Sequence, residues 1–126
     1  MLLPEHQQIL THFQAELQQL IAQTAQSNPE FQQLQASFLQ LQQRFQQQIL
    51  LLPDDALRAE EQTQLQAYQT EMNRLMRLLA VDISFLQTAR QSVKQQQRQA
   101  QIQQRLSGLL QFCQALLAGH SIRDGG

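Results

Sequence analysis

The stretch NPEFQQLQASFLQLQQRFQQQILLLP, residues 28–53, decides how this chain folds. Phe31, Leu34, Phe38, Leu41 and Phe45 recur at 3-4-3-4 spacing, with Gln48 next in phase and Leu52 after it. That period lays one apolar stripe along a helix and holds over three heptads, as in a coiled-coil seam. Three phenylalanines in the stripe suit a globular bundle better than a thin two-stranded zipper. The ends are marked too. Asn28 reads as an N-cap, Pro29 as the first helical residue, and Glu30 as an acid at the positive end of the helix dipole. Pro53 pushes Leu52 out of the helical region, so this helix ends near Leu52.

The same period extends outward in both directions. Upstream, a first helix reads from Pro4 to about Gln26, with Ile9, Leu10, Phe13, Leu17, Leu20 and Ile21 on one face. Downstream, Pro53-Asp54-Asp55 interrupts the chain, and an aspartate is expected to cap a third helix over Ala56–Arg90. That helix is longer than the rest, and its irregular part is expected over 56–63. A fourth helix carries Ile102, Leu106, Leu109, Leu110, Cys113, Leu116 and Leu117, and Gly119 suits the position just past its end. The turn before it is placed within Gln91–Gln99, because the helices must fold back to bury their stripes. That segment holds neither Gly nor Pro, so one continuous helix over 56–118 is the rival reading. The expected fold is all-α: an antiparallel bundle of four helices over 1–118 with coiled-coil-like packing, then a disordered tail over 119–126.

Composition agrees. Of 126 residues, 31 are Gln and 22 are Leu, both good helix formers. Thr, Val and Tyr are sparse and Trp is absent, which disfavours a sheet protein. Only 15% of residues are charged and the net charge is −1, so no bulk field points to nucleic acid or an anionic membrane. No 18-residue apolar run exists to cross a membrane, and the N-terminus lacks a basic leader pattern; the expected location is cytoplasmic. Charge is segregated along the chain. Residues 1–61 carry seven acids and two bases, and residues 62–126 carry three acids and seven bases.

Catalytic signatures are missing. There is no G-x-G-x-x-G, P-loop, H-E-x-x-H or E-x-x-H, and His6, His12 and His120 do not share metal-ligand spacing. The chain is therefore read as a non-enzyme without cofactor. His12 and Glu16 form an ordinary i,i+4 surface pair. Cys113 lies in the apolar phase of its helix and reads as a small buried hydrophobe.

Three features stand out in the second half of the chain. Asp82 falls beside the Met72, Leu75, Leu79, Ile83, Leu86 stripe, where an acid pairs with an Arg from another helix or caps a neighbouring backbone, and so can fix the register of the bundle. Leu78, Val81 and Phe85 form a second apolar stripe on the same helix. A helix apolar on two sides is buried on two sides, against a sibling helix or another chain, so a homodimer is a reasonable expectation. Arg90, Lys94 and Arg98 recur every four residues and Arg105 follows one heptad later. With Arg74 and Arg77 they make a basic face suited to an acidic partner.

Three stretches carry a resemblance: FQQQIL (45–50), YQTEMNRLMRLLAVDISFLQTARQ (68–91) and RLSGLLQFCQALL (105–117). In order, spacing and length they resemble the cyanobacterial PatD family, named for control of heterocyst frequency. The family pattern places a proline after the second stretch, where this chain has Ser92-Val93. The resemblance implies a small helical cytoplasmic protein that binds the tubulin-like division protein FtsZ and modulates its polymer assembly. It thereby affects cell division and, in filamentous species, heterocyst frequency. It implies no enzyme activity and no cofactor. The competing expectation is a helical scaffold that docks another helical protein through Val81 and Phe85.

Overall fold

A computed structural model describes residues 4–26 and 29–118. Its helices are α1 (Pro4–Thr24), α2 (Phe31–Arg44), α3 (Ala59–Thr88) and α4 (Ser92–Leu117), with a π-helical turn over Phe45–Ile49 continuing α2. No strand occurs among the described residues, and the helices pack on one another as an all-α bundle. Neighbours run antiparallel. Leu10 meets Cys113 while Thr24 meets Gln99 across α1 and α4. Across α3 and α4, Tyr68 faces Phe112 and Asp82 faces Arg98 and Arg105. The α3–α4 and α1–α4 seams are the broadest, and α2 meets α3 along a much narrower one.

The stripes read from the sequence form the core. Leu10, Phe13, Leu17 and Leu20 of α1 meet Leu34, Phe38, Leu41 and Phe45, all buried. Met72, Leu75, Leu79 and Ile83 of α3 and Ile102, Leu106, Leu109 and Cys113 of α4 complete it. The Phe13 and Phe45 rings lie 5.9 Å apart between centroids, a tilted aromatic pair at the centre of the α1–α2 contact.

The helix boundaries differ from the expected ones in four places. Pro29 and Glu30 precede α2 instead of opening it; Glu30 is extended, and its carbonyl accepts the Leu34 N–H at 3.0 Å. The expected cap at Asn28 and the expected tail over 119–126 lie outside the described residues. The second helix does not continue unbroken to Leu52. Over Phe45–Ile49 the bonding widens to i→i−5, with Leu50 N donating to Phe45 O at 2.9 Å. The physical reason is the side chain next in phase. Gln48 is polar and stays half-exposed, accepting a bond from Arg44 Nη1, while Ile49 takes the buried place. A π turn adds one residue to the helical turn and so rotates the residues beyond it to a new direction.

The third helix begins at Ala59, not Ala56, and no aspartate caps it. Residues 56–58 are irregular because Leu57 tucks into the core. Its N–H bonds the Asp54 carbonyl at 3.0 Å, and Glu61 Oε1 accepts the N–H of the N-cap residue Arg58. The helix also stops earlier than expected, at Thr88. Ala89 and Gln91 are extended, so the α3–α4 break spans 89–91 and residues 92–99 are helical. That break excludes the single long helix.

Glutamines seal these interruptions. A helix end or π turn frees backbone carbonyls that need a donor. Gln99 Nε2 donates to the Thr24 and Gln26 carbonyls past the end of α1. Gln69 donates to Ile49 O on the π turn, Gln62 to Asp54 O and Leu57 O in the loop beyond it, and Gln95 to Ala89 O at the α3–α4 turn. A long neutral amide reaches such carbonyls from a neighbouring helix without bringing a charge into the interior.

Candidate interaction surface

The α3–α4 seam carries most of the residues singled out in the sequence. Antiparallel packing sets Tyr68 beside Phe112, Leu75 beside Gly108, Asp82 beside Arg105 and Arg98, and Phe85 beside Arg98, in that order along the two helices. A Cβ at Gly108 would lie 3.0 Å from Leu75 Cδ1, so the Leu75 side chain packs directly onto the bare backbone here. A lone Gly within an apolar helix stripe is the sequence signal of such an approach, and Gly108 is a site residue that the stripes and charges alone do not pick out.

Asp82 is 3% exposed, on the rim of the core. Its Oδ2 accepts from Arg105 Nε at 3.1 Å and its Oδ1 from Arg98 Nη1 at 3.4 Å. One buried carboxylate thus clasps two guanidiniums from the next helix, which ties the register of α3 to that of α4. Arg98 also lies over the Phe85 ring, its guanidinium carbon 4.4 Å from the centroid, a cation–π contact.

These contacts correct the expected basic face, part of whose charge is neutralised within the chain. Arg98 and Arg105 share the Asp82 carboxylate, and Arg74 pairs with Glu71 at 3.1 Å. Asp82 is remote in number from Arg98 and Arg105 and sits on the other helix, and antiparallel packing brings it alongside them. Arg77, Arg90 and Lys94 are exposed and have no ion-pair partner among the described residues. The two classes stay close. Arg74 lies one turn before Leu78, Arg77 one turn before Val81, and Lys94 one turn before Arg98.

The second apolar stripe is open. Val81 is 49% exposed, Phe85 48%, and Leu78 is half-buried. No sibling helix among the described residues covers it. A shallow pocket lined by Phe85, Thr88, Ala89, Lys94, Gln97 and Arg98 opens at its end. Glu16, expected to pair with His12, instead forms an ion pair with Arg44 of α2, which also bonds Gln48.

Among the described residues no cluster of His, Cys, Asp or Glu has the makings of a metal site, and no helix is long and apolar enough to cross a membrane. His6 is buried at the start of α1, and neither ring nitrogen meets a partner among the described residues. Cys113 is buried and donates its S–H to Leu10 O at 3.2 Å. Burial pushes its thiol up from 9.0 to about 12. Ellman's reagent at pH 8 is therefore expected to leave Cys113 untouched in the folded protein and to titrate one thiol in urea. The same burial makes stability depend on alkaline pH. An unfolded thiol ionises from about pH 9, whereas the folded one holds its proton to about 12. The thiol's contribution is intact below pH 9 and lost as pH rises through that window, at up to about 1.4 kcal/mol per pH unit. A Cys113→Ala variant should lack that component of the alkaline decline.

The chain matches no protein-family model, no curated protein and no solved structure.

Proposed function

We propose that the chain is a non-enzymatic regulator that binds FtsZ through its α3–α4 face and modulates polymer assembly. Through that step it acts on cell division and, in filamentous species, on heterocyst frequency. The observation that carries a binding role is the half-exposed Val81 and Phe85 on a helix whose opposite face is packed. Val81 and Phe85 stand one helical turn apart with Leu78 beside them, and a contiguous open apolar patch of this kind marks a contact site. The identity of the partner comes from the resemblance to the PatD family. Residues 68–91 and 105–117, two of the three stretches that carry it, lie in or beside α3 and α4. The exposed cations Arg77, Arg90 and Lys94 favour an acidic partner surface.

Co-sedimentation with FtsZ and GTP tests this. The chain should pellet with polymer, and the pelleted fraction should fall as salt rises from about 50 to about 300 mM, since exposed charges are screened. Equal recovery in the supernatant with and without polymer, together with unchanged polymer mass, overturns the reading. The openness of Val81 and Phe85 also supports a second reading, a scaffold docking a different helical protein. That mode is apolar, so its binding should hold as salt rises.

A further inference from the structure

We infer that the α3–α4 groove is a seat for an acidic amphipathic helix of a partner protein. The inference rests on reading this face as a binding surface, and it specifies the chemistry of what binds. Two parallel rows define the groove. On α3, Leu78, Val81 and Phe85 offer apolar contacts at 3-4 spacing, open by about half at the last two positions. On α4, Arg98 and Arg105 stand one heptad apart, about 10 Å along the helix. At Gly108 the seam is closed by Leu75, whose Cδ1 lies 3.0 Å from where a Cβ would stand.

A helix laid along these rows meets apolar side chains on one flank and, on the other, Arg98 and Arg105, whose charge Asp82 offsets in part. The exposed Arg77, Arg90 and Lys94, unpaired among the described residues, lie nearby. Its matching pattern is apolar residues at 3-4 spacing with acids repeating every seven. The charge balance favours acids. Arg74, Arg77, Arg90, Lys94, Arg98 and Arg105 face only Glu71 and the buried Asp82, a surplus of four positive charges. A second copy of this chain is a poor occupant. Two-fold pairing of the face sets its arginines against one another. The acids Asp54, Asp55, Glu60 and Glu61 lie at the far end of the bundle from Arg90 and Lys94.

The test is fluorescence anisotropy with a labelled 21-residue peptide of repeating L-E-A-L-E-E-A heptads. A scrambled peptide of the same composition with no helical period is the control. The heptad peptide should bind, and the scrambled one about tenfold or more weaker. Phe85→Ser, and separately the pair Arg77→Glu with Lys94→Glu, should each weaken binding about tenfold. Leu39→Ser on exposed α2 should not. These sites are exposed, and circular dichroism checks that each variant keeps its helices. Three results overturn the inference: no binding of the heptad peptide, equal binding of the scrambled peptide, or a dimer in light scattering that Phe85→Ser dissolves. The two proposals fail separately. Peptide binding without FtsZ pelleting removes FtsZ and keeps the groove. FtsZ pelleting that Phe85→Ser and the charge reversals leave intact removes the groove.

Discussion

Replacing Arg98 and Arg105 together by methionine is expected to destabilise the bundle by about 3–5 kcal/mol, the range for stranding a buried charge. Asp82 is 3% exposed and both of its oxygens are committed to these two side chains. Without them the carboxylate sits on the rim of the core stripped of both its donors, and burial of an unpaired charge is severely unfavourable. The reverse change should be much milder. Asp82→Leu leaves two arginines that are each about a third or a quarter exposed, free to swing their heads into water while their stems stay packed. Its effect is expected near 1 kcal/mol, the worth of the lost hydrogen bonds partly offset by apolar burial. Urea denaturation of the three proteins settles the order. If Asp82→Leu proves the more damaging substitution, burial of the carboxylate is not what sets the energetics of this cluster.

Phe45→Ala is the second large effect, about 3–5 kcal/mol, as for other fully buried aromatic truncations. Phe45 is 1% exposed, packs against the Phe13 ring, and is the residue at which α2 passes into the π turn. Its removal leaves a cavity against α1 and loosens the anchor that holds the turn in its widened form. Leu39→Ala, on the exposed side of the same helix, should stay within about 0.5 kcal/mol. Thermal and urea unfolding of the pair compares a core position with a surface position on one helix. Equal effects would mean that the side of α2 facing α1 is misassigned.

Much of the architecture was legible in the residues. The 3-4 spacing of Phe31 through Phe45 named the buried face of α2, and the stripes of the other helices did the same. This works because burial of an amphipathic helix is a property of its own period. The boundaries were less legible. Ala89 to Gln91 contain no Gly or Pro, and what ends α3 there is the need of α4 to fold back, helped by Gln95 on the Ala89 carbonyl. The π turn was invisible because Gln48 and Ile49 fit two helical phases almost equally, and only the core on offer selects Ile49.

The candidate surface divides the same way. By itself the sequence determined that the chain is helical, which faces are apolar, that Leu78, Val81 and Phe85 form a stripe apart from the main one, and that the second half is rich in cations. Only the tertiary structure decided that no described helix of this chain covers the stripe, and that Arg98 and Arg105 spend part of their charge on Asp82. It alone placed Gly108 at the close approach of α3 and α4. The reason is physical: periodicity is local to one helix, whereas an ion pair and a groove belong to two helices whose relative register no single helix specifies.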